Sequence, residues 1–334
     1  MTPRALFSLL FHADKALDLV RTALDLGLTA RLDAGPVTLA ALAEVTGARP
    51  LRLFKFLDGL ESLGLVVREQ STDDPLTASY ISREPLTPAA EAVLGPQSIE
   101  RDRNAYPWTE IHGRLDDVLR GQLDTRFAWP PATAEEVRAF EVSMAVGSAP
   151  IVEALREARH LIFASPQSDC RWLDVGGGDG VVGAALLAED RRLTCGVFNL
   201  PSVAPLVRTR ARDAGLNGRL GFIGGNFLRD PLPAGYDVLS FIRVLHDWPA
   251  DTARDLLRQA RRALPSSGRI VICEEFRTSD RLAVQFFWTY FLIGADECHS
   301  RLREATWYTD ALDELGFRDI QVIPGEFDLI TASV

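Results

Sequence analysis

Apolar positions follow two rhythms along this chain of 334 residues. Up to about Tyr80 they fall at helical spacing: Leu39, Leu42, Ala43 and Val45 are placed for one helix face, and Gly47 stops that helix with a residue that tolerates the left-handed conformation. Pro50 opens a second helix where no amide donor is needed, carrying Leu53, Phe54, Leu57 and Leu60 inward, and Gly64 ends it. Leu65-Val66-Val67 and Ser79-Tyr80-Ile81, with a polar turn at Ser71–Pro75 between them, predict two short strands.

A helical middle follows from about Pro88 to His160, where Trp108, His112 and Leu115, and more loosely Phe140, Met144 and Ile151, recur at helical spacing. Trp129-Pro130-Pro131 marks a rigid connection within it. From Arg171 the rhythm becomes strand–helix alternation. Candidate strands are Trp172–Val175, Leu193–Phe198, Leu220–Ile223, Val238–Ile242, Arg269–Cys273 and Phe317–Ile323, with helices at Thr252–Ala263 and Glu304–Leu315 among the segments between them. That alternation predicts an α/β fold with a doubly wound, mostly parallel sheet, whose ligand crevice lies at the C-terminal ends of the strands. Phe327–Val334 is expected to add an antiparallel strand.

Composition narrows the functional classes. Formal net charge is −10 and Lys15 and Lys55 are the only lysines, so the overall field does not attract nucleic acid or anionic lipid. The helix–helix–wing start is a winged-helix pattern, and Arg49, Arg52 and Lys55 lie on its second helix. With nine Lys/Arg against thirteen Asp/Glu in residues 1–100, a packing or dimerisation module is the expectation rather than a DNA-binding one. Cys170, Cys195, Cys273 and Cys298 form no C-x-x-C pair, which argues for reduced thiols and against a zinc knot. The apolar run Phe286–Gly294 is too short to span a bilayer, and a soluble, cytoplasmic protein is expected.

The richest stretch is Leu173-Asp174-Val175-Gly176-Gly177-Gly178-Asp179-Gly180, an apolar strand running into a glycine turn before a helix. Such a turn lets the backbone approach the adenosine-bearing part of a cofactor. Gly178-x-Gly180-x-x-Gly183 satisfies the dinucleotide fingerprint, with Asn199 about where a ribose-binding residue belongs. Against that reading, Asp174 at the strand end suits a cationic ligand better than a pyrophosphate.

Asp174-x-Gly176-x-Gly178-x-Gly180 is the form found in class I methyltransferases. Together with Phe198-Asn199-Leu200-Pro201, Gly225-Asn226-Phe227 and His246-Asp247-Trp248, the whole chain resembles the small-molecule O-methyltransferase family. Caffeate-type and acetylserotonin enzymes and many bacterial natural-product enzymes belong there. Asn-Leu-Pro is also similar to the bacteriochlorophyllide and carotenoid methyltransferases.

The resemblance implies S-adenosylmethionine as cofactor, no metal, and a class I, Rossmann-like catalytic domain at 161–334. It also implies a winged-helix dimerisation domain at 1–95 and a helical linker at 96–160 that contributes to the pocket. It places Asp174, Gly176, Gly178 and Arg243 at the cofactor, with Gly176 and Gly178 against the methionine part and Met144 approaching from the helical middle. Asn199 is expected at the ribose hydroxyls, and Leu200, Asn226 and Phe227 around the adenine. Much of the family has Asp at 199 and 226, so both contacts lose charge assistance here.

Val238–Ile242 delivers His246 to the crevice edge, and a histidine suits deprotonation of a phenol before methyl transfer. By resemblance His246 is the general base and Glu274 orients it, with Glu275 the near alternative. A second orienting glutamate is usual; Leu302 stands there, and Asp296-Glu297-Cys298-His299 lies just upstream. Trp108, Phe140, Phe287, Trp288 and Phe291 are candidate walls for a flat apolar acceptor. The expected reaction is methyl transfer to a hydroxyl of a small aromatic in secondary metabolism, by a homodimer. C-methylation of a hydroxylated ring, non-methyl chemistry in a cofactor-binding relative, and a small-molecule-sensing regulator are the alternatives.

Overall fold

The computed structural model describes residues 2–69, 77–96, 98, 100, 113–123, 130–163, 169–278, 281–282, 285–286 and 302–334. The polar turn expected at Ser71–Pro75 lies outside them. The chain divides into two compact units, Met1–Asn104 and Ala105–Val334.

The first unit runs α1 (Pro3–Phe11), α2 (Ala13–Asp25), α3 (Leu28–Asp33), β1 (Val37–Thr38), α4 (Leu39–Thr46), α5 (Pro50–Ser62), β2 (Val66–Arg68), β3 (Ser79–Ser82) and α6 (Leu86–Leu94). Its three strands form an antiparallel sheet in the order β1-β3-β2. Leu39, Leu42 and Ala43 are buried, as are Leu53, Leu57 and Leu60 of the next helix. Val45 is instead 51% exposed, because six residues past Leu39 a helix has turned its side chain to the far side. Phe54 is only half-buried: the Arg68 guanidinium lies 4.8 Å over its ring while pairing with Asp58 and Glu61.

The first unit is closed by a cap from far along the chain. Asp33 accepts from the Leu86 and Thr87 amides, each at 2.8 Å, and so satisfies the first donors of α6. Burial acts against ionisation of this carboxyl, but the amide bonds outweigh it and its pKa is lowered.

The second unit begins with α7 (Leu115–Leu119), α8 (Ala134–Ala145), α9 (Ser148–Glu157) and α10 (Arg159–Ile162). It continues β4 (Cys170–Val175), α11 (Val181–Glu189), β5 (Leu193–Asn199), α12 (Ala204–Asp213), β6 (Leu220–Gly224), β7 (Val238–Ile242), α13 (Ala250–Ala263), β8 (Arg269–Glu274), α14 (Ala305–Glu314), β9 (Arg318–Ile323) and β10 (Asp328–Ser333). The sheet order is β6-β5-β4-β7-β8-β10-β9. The first five of these strands are mutually parallel, and β10 lies antiparallel between β8 and β9.

All six expected strands and the C-terminal one are present, with ends shifted by no more than two residues. β7 is buried at every position and β8 at all but its first, as strands covered on both faces must be, whereas β9 is mostly exposed. The core combines Leu173, Val175, Leu239, Phe241, Ile270 and Ile272 of the sheet with Leu256, Leu257, Tyr308 and Leu312 of α13 and α14. Chain order reverses between β4 and β7, the place where such sheets open a crevice.

The long-range cap gives a direct test. Asp33→Ala is expected to destabilise the first unit by about 1 kcal/mol, read by urea unfolding at neutral pH. Because the folded carboxyl titrates below its unfolded value of 3.8, the difference from wild type should persist above that pH and shrink as pH falls through the lowered value.

Candidate active site

β4 ends in a supported glycine turn. Asp174 is 1% exposed, and its Oδ1 accepts from the Ser240 hydroxyl at 2.6 Å; that hydroxyl in turn accepts from Trp172 Nε1 at 2.7 Å. The contact follows from register, since Asp174 and Ser240 are partners across β4 and β7. Burial holds the Asp174 carboxyl up at about 7, with the Ser240 bond pulling the other way. Asp174 therefore lies beneath the turn and braces it.

Gly176, Gly178 and Gly180 all have positive φ, at 75°, 54° and 82°. A Cβ on Gly176 would lie 2.8 Å from Val244 Cγ2, and one on Gly178 would lie 2.7 Å from Glu141 Oε2. Both positions thus need glycine for conformation and for space. The turn ends where Asp179 accepts from the Val181 amide at 3.0 Å and pairs with Arg210.

The neighbouring strand ends carry the other predicted residues. Asn199 closes β5, half-buried, with its Oδ1 accepting from the Leu200 amide at 2.7 Å. Asn226 follows β6, its Oδ1 accepting from the Leu228 amide at 3.0 Å while its own amide donates to Asp230. Both side chains thus use their carbonyl oxygen on local backbone. Phe227 lies edge-to-face on Trp248, with ring centroids 5.7 Å apart, and its ring edge is 3.7 Å from the Gly176 Cβ position. Gly176, Phe227 and Val244 therefore converge on one corner of the crevice.

Arg243, with φ 53°, is one of two non-glycine residues with positive φ among those described. Its guanidinium donates to the Met144 carbonyl, tying α8 to the end of β7. Met144 and Phe140 are both half-buried on that helix. Trp108, Phe287, Trp288, Phe291 and the Asp296–His299 cluster lie outside the described residues.

His246 is 2% exposed in a short 3-10 turn, Leu245–Asp247, after β7. The last residue of β8, Glu274, organises that turn. Its Oε1 accepts from the amides of Val244, Leu245 and His246 at 3.2, 2.8 and 3.4 Å, while its Oε2 contacts His246 Nδ1. The second carboxylate against the imidazole is Asp247, whose Oδ1 lies 3.2 Å from Nε2. Sequence reasoning sought that second acid near Leu302, which is a buried apolar residue, and overlooked the residue adjacent to the histidine.

Burial alone would depress the His246 pKa, but Glu274 and Asp247 overcome it and push the value up to about 10. Glu275 is also buried, yet the Nδ1 contact belongs to Glu274. Arg303, 2% exposed, was likewise not anticipated. It donates to the Leu245 carbonyl at 2.9 Å and to the Trp248 carbonyl, with its guanidinium 4.5 Å over Trp307, and so holds both ends of the histidine turn.

The crevice is acidic: Asp174 and Glu141 are buried under and beside the glycine turn, and Asp179 is within it. A pyrophosphate would meet these carboxylates at the helix start, whereas a cofactor bearing a sulfonium and an ammonium finds complementary charge. The residues present fit S-adenosylmethionine and oppose the dinucleotide reading of Gly178, Gly180 and Gly183. Among the described residues, no group of three His, Cys, Asp or Glu could hold a metal ion, and no helix is long and apolar enough to cross a membrane.

Sheet order and site define a class I methyltransferase architecture. The S-adenosylmethionine-dependent methyltransferase SibL in its apo form superposes with a TM-score of 0.68 at 23% identity, covering 98% of each chain. The profile of the O-methyltransferase domain matches residues 151–318. Demethylspheroidene O-methyltransferase of Cereibacter sphaeroides is 30% identical over 90% of this chain and 78% of its own. N,N-dimethyltransferase OxyT of Streptomyces rimosus is 29% identical over 92% and 88%. The chain belongs to this O-methyltransferase family and is a methyltransferase that uses S-adenosylmethionine.

The buried imidazole carries a pH signature. Its folded pKa lies above the ordinary 6.5, so its stabilising contribution is complete below pH 6.5 and is lost as pH rises toward about 10. The stability advantage of wild type over His246→Asn should therefore be largest near pH 6 and decline steadily to pH 10, as read by denaturant unfolding.

Proposed function

We propose that this enzyme methylates a hydroxyl of a small aromatic acceptor in natural-product biosynthesis, with His246 as the base. The observation that carries this reading is the imidazole held between Glu274 and Asp247, two residues past the Val244 that packs at Gly176. Bound S-adenosylmethionine supplies a methyl group on positively charged sulfur. The protein must then remove a proton from the acceptor and keep that proton away from the nucleophilic oxygen.

His246 is suited to the task by matching. A phenol titrates near 10, and the two carboxylates bring the imidazole to about the same value. A deprotonated imidazole of that basicity takes up a phenol's proton without a large free-energy penalty, with Asp247 at Nε2 and Glu274 at Nδ1 stabilising the imidazolium that results. Glu274 fixes the ring through Nδ1 and stabilises the imidazolium once it forms. At neutral pH the resting imidazole holds a proton, so the encounter of imidazolium with phenol carries one proton too many. Loss of that proton to solvent precedes transfer.

A second reading, C-methylation of a ring carbon beside a hydroxyl, uses the same base. It is supported by Leu302, a buried apolar side chain where the family resemblance implies a second glutamate, and by carbon-methylating relatives such as bacteriochlorophyllide d C-20 methyltransferase. The first unit we read as a winged-helix dimerisation domain. Exposed Phe7, Leu10 and Phe11 on α1 supply an apolar surface for a second copy, and the net charge of −10 opposes a DNA-binding role.

The reading is tested with a panel of phenols and isotopically labelled cofactor. His246→Ala is expected to lower kcat by about 10²- to 10⁴-fold while the dissociation constant of S-adenosylhomocysteine stays at the wild-type value. For wild type, kcat/KM should climb from pH 7 toward 10, and Glu274→Gln should move that limb to lower pH. Unchanged turnover in His246→Ala would remove the histidine from the chemistry. NMR of the product then assigns the new methyl to oxygen or to a ring carbon.

A further inference from the structure

Glu141 has no role in the base chemistry, yet it is one of the few charged side chains buried in the second unit, at 5% exposure. Burying a carboxylate is costly unless something meets it. α8 points this one at the concave side of the glycine turn: Oε2 occupies the space that a side chain on Gly178 would need, 2.7 Å from its Cβ position. The Asp179 amide donates to the carboxylate, the Asp179 carboxylate repels it, and the Arg243 guanidinium attracts it.

Arg243 comes from the end of β7. Its guanidinium is fixed on the carbonyl of Met144, one helical turn past Glu141, and its backbone holds φ 53°. A bulky residue in the left-handed region is uncommon and signals that position has been favoured over local comfort. A carboxylate against the glycine turn and a guanidinium close enough to attract it are thus both held on α8, one by its own backbone and one through the Met144 carbonyl. An α-amino acid zwitterion has the complementary pair of charges.

We propose that Glu141 receives the ammonium of the cofactor's amino-acid end, with Arg243 facing its carboxylate, and that Glu141 releases a proton as the cofactor binds.

The electrostatics agree with this geometry. Desolvation and the Asp179 carboxylate hold the Glu141 carboxyl up at about 7, against the Asp179 amide and Arg243. A ligand ammonium placed against it favours the ionised form. The charged groups around it are Asp179, paired with Arg210 of α12, Asp174 beneath Gly177, and Arg243 after β7, with Arg138 exposed on α8 itself. Asp174 also titrates near 7, so the source of any released proton must be assigned by substitution.

Calorimetry on the full chain provides the test. S-adenosylhomocysteine and 5′-methylthioadenosine, which lacks the amino-acid end, are titrated at pH 6 and pH 8 in pairs of buffers with different ionisation enthalpies. Wild type should release close to one proton with the homocysteine ligand at pH 6, far less at pH 8, and none with methylthioadenosine. Glu141→Gln should abolish the release and weaken S-adenosylhomocysteine roughly 10- to 100-fold while leaving methylthioadenosine affinity unchanged. Equal weakening of both ligands, or retained proton release in the variant, would overturn the assignment in favour of a structural role or of Asp174. Should Glu141→Gln fail to fold, Asp174→Asn takes its place: proton release retained with the homocysteine ligand and absent with methylthioadenosine supports the proposal, and release lost in that variant overturns it in favour of Asp174.

Discussion

The side chain of Glu274 performs two tasks that are usually divided. One carboxylate oxygen gathers three successive amides from the turn after β7, and the other fixes Nδ1 of His246. Those amides would otherwise be buried donors without partners, each costing about 1–3 kcal/mol. Backbone conformation and imidazole orientation are therefore set by the same group, and neither can relax without disturbing the other. Arg303 completes the arrangement from the acceptor side, taking the carbonyls of Leu245 and Trp248. A buried anion and a buried cation thus brace opposite polar edges of one short turn.

The imidazole is flanked by two carboxylates although position 302 is a leucine. An imidazole needs one carboxylate to fix its tautomer and a second influence to set its basicity. Glu274 supplies the first, and Asp247, next in sequence, supplies the second across 3.2 Å. The neighbouring position, Arg303, is given to anchoring rather than proton chemistry. At the glycine turn Asp174 lies against Gly177 and Glu141 against Gly178, so two buried carboxylates meet one turn.

Much of the fold was legible because burial on two faces leaves a plain trace. β7, Val-Leu-Ser-Phe-Ile, is an apolar run broken only by Ser240, and the serine turns out to be Asp174's partner. The glycine turn was legible for a related reason: positive φ and tight approach leave glycine as the fit, so the requirement is written in residue type. Asn199 closes β5, Asn226 follows β6 by two residues and Arg243 follows β7 directly, so motif order along the chain translates into neighbouring strand ends. The tight side-chain pairings were less visible. Asp247 stands inside a His-Asp-Trp run, and nothing in that pattern marks it as a charge against Nε2 of the histidine. Arg303 sits in Arg301-Leu302-Arg303, where nothing in the pattern separates a buried guanidinium from a solvated one.

Glu141 shows why such residues escape and how they can be found. Phe140 and Met144, four residues apart, attract attention as an apolar helical pair, yet the buried stripe of α8 is Val137 and Glu141, also four apart. An acid on the inward stripe of a helix has to be met by donors or cations, because desolvating a carboxylate outweighs what its methylenes gain by burial. Capping identifies this helix as well formed: Thr133 and Glu136 make a reciprocal box at its start, so its register is firmly set. With the register fixed, Glu141 cannot rotate to solvent without exposing Val137. The helix therefore holds a carboxylate against the glycine turn, where burial raises its pKa and a cation would favour its ionised form.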